Sequence, residues 1–78
     1  MDFVALLGRN VRKWRLQRGM TQEQLALDAG MKRSYLSELE RGLRNPTVRA
    51  LTRLAAALSI EPELLLKLDQ QTNNGTER

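Results

Sequence analysis

The stretch Gln22 to Arg44, QEQLALDAGMKRSYLSELERGLR, constrains this chain most. Leu25 and Ala29 lie four residues apart and share one helical face, while Leu36 and Leu39, three apart, share another. Gly30 falls between the two faces, where a backbone that must turn sharply needs a residue free to take positive φ. Ala26 suits the same geometry, because a larger side chain would hold the two helices apart. The spacing predicts a short helix, a tight turn and a second helix, which is a helix-turn-helix unit. The second helix carries Lys32, Arg33, Ser34, Tyr35, Ser37 and Glu38 off its buried side. Such a row of hydrogen-bonding side chains suits the reading of base edges in a major groove.

The flanking segments also read as helices. Asp2 caps a first helix running to Arg18, with Phe3, Leu7, Val11 and Trp14 as its apolar stripe and Arg9, Arg12, Lys13 and Arg18 on much of its other side. Gly19 ends that helix and Met20 enters the core. Thr21 and Gln24 form a T-x-x-Q capping box at the start of the second helix. Gln22 and Glu23 lie in its first turn, where outward-pointing N–H groups favour an anion. Helix 3 opens at Lys32 or Arg33 and ends near Arg41, before Gly42. Asn45 precedes Pro46 and belongs to a loop. Thr47 caps helix 4, whose stripe is Val48, Leu51, Leu54, Ala55 and Leu58. Pro62 suits the first position of a fifth helix. Leu64, Leu65, Leu66 and Leu68 exceed what one buried face needs, so part of that cluster is expected to meet a partner. We assign residues 1–69 to one domain, with Leu65 in its core and Leu64 and Leu68 in a homodimer interface. Residues 70–78, a polar stretch poor in apolar residues, are expected to be a disordered tail.

Composition narrows the function classes. The 78 residues leave room for one small domain. Cysteine and histidine are both absent, which excludes disulfides, thiol or imidazole catalysis and the usual zinc sites. Neither metal nor cofactor is expected. Thirteen Lys and Arg against nine Asp and Glu give a formal charge of +4, and ten of the thirteen cations are arginine, suited to bidentate contacts with phosphate and guanine. No apolar run approaches ~18 residues, so no membrane span is expected. The segment MDFVALLGRN lacks a basic n-region and a long apolar stretch, so no signal peptide is read there, and the expected location is the cytoplasm.

The runs RKWRLQRGMTQEQLALDAGM, SYLSELERG and NPTVRALTRLAAALSI resemble the Cro/C1-type helix-turn-helix family, over about residues 7–68. That resemblance implies an all-α, five-helix lambda-repressor-like fold, found in bacterial and phage regulators. RSYLSELERGLRNPT is also similar to controller proteins of restriction–modification systems. The resemblance implies roles for single residues. Gln22 matches a glutamine that clamps a phosphate. Lys32, Arg33, Ser34 and Tyr35 match the base-reading start of helix 3, with Ser37 and Glu38 further along the groove-facing side. Glu38 departs from the glutamine of some repressors. A carboxylate there repels phosphate unless it accepts from a cytosine amino group or pairs with a cation. Arg44 and Asn45 match loop positions that meet the DNA backbone. Arg15 and Glu40 match a pair tying helix 1 to the end of helix 3. Glu23 matches a position where activating members present an acid to RNA polymerase; equally, a carboxylate there suits a helix N-terminus.

Two function classes follow. The first is a homodimeric, sequence-specific transcription regulator that reads two half-sites of a pseudo-palindromic operator in double-stranded DNA with two copies of helix 3. The second is an antitoxin-type interaction module that masks a partner protein and regulates its own operon. An enzyme is not expected, because the chain has no nucleophile–base constellation, metal cluster or glycine-rich phosphate loop.

Overall fold

The computed structural model describes residues 2–68. Among them are four α-helices, α1 (Phe3–Gln17), α2 (Gln22–Ala29), α3 (Arg33–Glu40) and α4 (Val48–Leu58), then a 3₁₀ helix at Pro62–Leu66, and no strand. The proposed tail, residues 70–78, lies outside the described residues, as does Asp69.

Local chemistry sets the helix starts. Asp2 Oδ1 accepts from the N–H groups of Val4 and Ala5 at 3.1 and 3.2 Å. Thr21 and Gln24 satisfy each other reciprocally: Gln24 N–H donates to Thr21 Oγ1 at 3.0 Å, and Thr21 N–H donates to Gln24 Oε1 at 2.8 Å. Thr47 caps α4 through Ala50 N–H at 3.0 Å. The turn between α2 and α3 closes at Gly30, whose φ of +70° lies in the left-handed region that side chains with a Cβ disfavour. Met31 N–H then donates to Ala26 carbonyl oxygen at 2.9 Å, folding the chain back over α2.

The core forms where the helices meet. Val11 from α1, Leu25, Ala26 and Ala29 from α2, Leu36 and Leu39 from α3, and Leu54, Ala55 and Leu58 from α4 pack together with Leu65. Each fully buried leucine contributes about 1.5–3 kcal/mol by leaving water. Leu65 is fully buried, in keeping with its expected place in the core. α1 packs against α3 closely enough that a Cβ on Gly8 would lie against Leu39 carbonyl oxygen and 2.8 Å from that of Glu40. At the far end Arg18 donates from Nε to Leu58 carbonyl oxygen at 2.8 Å and from Nη2 to that of Ser59 at 3.3 Å. It thereby neutralises the C-terminal carbonyls of α4 while its guanidinium sits over the Trp14 ring.

The structure differs from expectation at three places. The fifth helix is a 3₁₀ helix of five residues, not an α-helix. Asn10, buried in α1, donates from Nδ2 to the carbonyl oxygens of Leu65 and Lys67 at 2.8 Å each. Lys67 is extended, so the carbonyls that would continue a helix turn to Asn10 instead. Phe3 and Val48 belong by periodicity to the apolar stripes of their helices but are 56% and 81% exposed. Both occupy the first turn of their helices, beyond the reach of the packing partners, and Leu6 fills the core in Phe3's place. With Leu7, Leu51 and Leu66 they border an open apolar groove of about 220 Å³ that also touches Asn45 and Pro46.

Candidate nucleic-acid interface

The interface begins with a buried ion pair. Arg15, near the end of α1, donates from Nε to Glu40 Oε2 at 2.7 Å and from Nη2 to Oε1 at 3.0 Å. This parallel, bidentate geometry is the strongest that a guanidinium and a carboxylate form. The side chains are only 10% and 3% exposed, so the pair is shielded from water. Arg15 Nη1 also donates to Met20 carbonyl oxygen at 2.9 Å, fixing the turn before α2. The expected tie between helix 1 and the end of helix 3 is present.

Gln22 joins this pair, which the sequence did not indicate. Its Nε2 donates to Glu40 Oε1 at 3.0 Å, so the first residue of α2 is anchored to the last residue of α3. Glu40 thus accepts from both α1 and α2, and one carboxylate ties three helices together. Within the first turn of α2, the backbone N–H groups of Gln22 and Glu23 have no protein partner among the described residues. They are donors open to an anion. Arg33, the first residue of α3, lines the same open recess as Gln22 and Glu23. The turn therefore brings one arginine of α3 beside the N-terminus of α2.

A second cluster lies further along α3 and into the following loop. Arg44 donates from Nε to Glu38 Oε1 at 2.7 Å, and its guanidinium carbon stands 5.4 Å from the centroid of the Tyr35 ring. Tyr35 is half-buried against the core, so it serves as a platform under Arg44 as well as standing in the row expected to read bases. Glu38 takes the second of its two options, pairing with a cation. Lys32 caps α3 without a side-chain hydrogen bond, and with Arg33 and Ser34 it is exposed. Ser37 is half-buried.

The structure thus gathers Gln22 with Arg33, and Tyr35 with Glu38 and Arg44, while Asn45 lies at the apolar groove with Phe3, Val48 and Leu66. Leu64 and Leu68 do not border that groove. Leu64 is half-buried and Leu68 is 51% exposed. Sequence reasoning missed the groove, because helical periodicity tells which face turns inward but not where the covering helices stop. A Thr cap directly before Val48 is the one signal available, since it puts Val48 at the helix end. Among the described residues no group of acidic side chains could hold a metal ion. No described helix is long and apolar enough to cross a membrane.

Comparison with known proteins identifies the family and the fold. A helix-turn-helix family model, HTH_3, matches residues 11–65. The chain is 42% identical over 76 residues to the uncharacterized HTH-type transcriptional regulator y4dJ of Sinorhizobium fredii, covering 97% of this chain and 99% of that protein. Its fold is similar to the restriction–modification controller protein C.AhdI from Aeromonas hydrophila, with a TM-score of 0.78 at 40% identity, over 80% of this chain and 94% of that one. It is also similar to the controller protein C.Esp1396I, whose crystal structure is a tetramer in complex with its natural 35-base-pair operator. There the TM-score is 0.75 at 32% identity, over 81% of this chain and 83% of that one.

Proposed function

This chain belongs to the HTH_3 family of helix-turn-helix proteins, and we propose that it is a sequence-specific DNA-binding transcription regulator acting as a homodimer, of the restriction–modification controller type. One observation carries the reading: Glu40 locks the start of α2 to the end of α3 and so fixes Arg33 beside the open N–H donors of Gln22 and Glu23. A base-reading helix and a phosphate-binding helix end are then held in a fixed relation before DNA arrives. Such pre-organisation spares the ordering cost of binding.

In this reading residues 1–69 form the DNA-binding domain. Lys32, Arg33, Ser34 and Ser37 face base edges. Gln22, Arg44 and Asn45 meet the phosphate backbone, and Tyr35 and Glu38 engage Arg44 in the free protein. The partner is a pseudo-palindromic operator whose half-sites lie about one helical turn apart, ~34 Å. Two protomers meet through the end of the chain around Leu64 and Leu68. Glu23, exposed in the first turn of α2, is favourable at the helix N-terminus, and an activating role would bring it against RNA polymerase. The protein acts in the cytoplasm and without catalysis. The antitoxin reading is not favoured, since the relatives described above are transcriptional regulators and controllers.

Selection of bound sequences from random DNA tests this directly. The expected result is a two-fold symmetric consensus with half-sites one turn apart. Recovery of random sequence at every position would overturn the reading.

A further inference from the structure

Glu38 is a puzzle for a DNA-binding face. It puts a carboxylate on α3 where phosphates would crowd it, in a chain whose net charge is +4. Its contact with Arg44 is short, 2.7 Å, yet the two side chains are 40% and 52% exposed. A pair this open to water adds little to folding. The guanidinium also lies over the Tyr35 ring, 5.4 Å from its centroid. The loop cation is thereby engaged by two residues of α3 in the free protein.

We infer that Glu38 is a specificity-determining residue that restrains Arg44, releasing it to the DNA backbone only where Glu38 finds a cytosine amino group. This rests on the DNA-binding reading above and adds a role for the Glu38–Arg44 pair. The chemistry is an exchange of partners. On arbitrary sequence, an Arg44 that leaves for a phosphate strands the Glu38 carboxylate among phosphates. An Arg44 that stays contributes no phosphate neutralisation. On a site that presents cytosine, its N4 amino group donates to Glu38. Arg44 is then free to neutralise a phosphate at a smaller cost, because the carboxylate keeps a hydrogen-bond donor. The pair lowers affinity for the wrong sequence more than for the right one, which is how repulsive elements produce specificity. Tyr35 keeps Arg44 within reach during the exchange.

The test uses the full chain, the site recovered by selection from random DNA, and random DNA of equal length, over a range of salt concentrations. Glu38→Gln keeps the size and helix propensity of a half-exposed residue, and thermal unfolding confirms that it folds. The expected variant binds random DNA about five-fold more tightly. Its log-affinity against log-salt slope on random DNA steepens by ~1, the signature of one additional phosphate contact. Its preference at one base pair per half-site moves from cytosine towards adenine, the base a glutamine reads. In an Arg44→Ala background the slope change disappears. A slope change that survives Arg44→Ala, or equal shifts on selected and random DNA, overturns the inference while leaving the DNA-binding reading in place. A wild-type chain that selects no sequence overturns both.

Discussion

At the scale of single residues, the structure rests on contacts that side chains far apart in sequence make once. The Arg15–Glu40 pair is the strongest of these. A surface pair contributes about 0–1 kcal/mol, but removing one partner of a buried pair strands a charge and costs about 3–5 kcal/mol. We expect Arg15→Met and Glu40→Gln each to fall in the higher range in urea unfolding. Their double variant should show coupling of more than ~1 kcal/mol, whereas additive losses within ~0.5 kcal/mol would show that the two groups do not interact. Gly8 sets two effects against each other. Alanine there gains up to ~1 kcal/mol of helix propensity. Its methyl group, however, would meet the backbone carbonyls of Leu39 and Glu40, which cannot rotate away. Overpacking costs about 1–3 kcal/mol, so the clash wins and Gly8→Ala should lower the melting temperature. A rise would mean that α1 and α3 separate freely.

At the scale of elements, most of the helix-turn-helix unit was legible because its determinants are local. Asp2, Thr21 and Thr47 cap the helices they precede, and Gly30 takes the positive φ that the turn demands. What depended on distant partners was not legible. The fifth element contains a proline start and a leucine run, which suggest an α-helix. Instead it is a five-residue 3₁₀ helix, and the Leu65 and Lys67 carbonyls are taken by Asn10, some 55 residues earlier. Nothing in the sequence near Asn10 points there. The same holds for Gln22, whose resemblance implies a phosphate clamp but whose bond to Glu40 appears only in three dimensions. Arg15 and Glu40 were paired through the resemblance, since 25 intervening residues give no spacing argument. The Asn10 clamp has a measurable consequence. Asn10→Ala leaves two carbonyls without their donor, at about 1–3 kcal/mol each where they stay buried. The melting temperature should drop by at least ~4 °C, since ~1 kcal/mol moves a domain of this size by 4–8 °C. Hydrogen exchange should show the loss concentrated after Ile60. An unchanged melting temperature would mean that water replaces Asn10.

At the scale of the molecule, a small core is accompanied by several apolar residues left exposed. Phe3, Val48, Leu66 and Leu68 remain 41–81% exposed in a single copy. Domains of this size often complete their apolar surface against a partner. Leu68→Glu should therefore sediment as a monomer that keeps its helical circular dichroism; a dimer of wild-type strength would place the interface elsewhere. In the proposed dimer, two recognition helices held one turn apart would read a palindrome, where one alone reads too little sequence. The central claim is that α3 reads bases through Arg33 while the start of α2 grips the backbone through Gln22. The most direct measurement compares Arg33→Ala and Gln22→Ala on the selected operator and on random DNA at one salt concentration. Arg33→Ala should lose about 1–3 kcal/mol on the operator and little on random DNA, while Gln22→Ala weakens both, and the operator somewhat more because its side chain also braces α3 through Glu40. Equal losses on the two DNAs for Arg33→Ala would contradict the assignment of α3 as the reading helix.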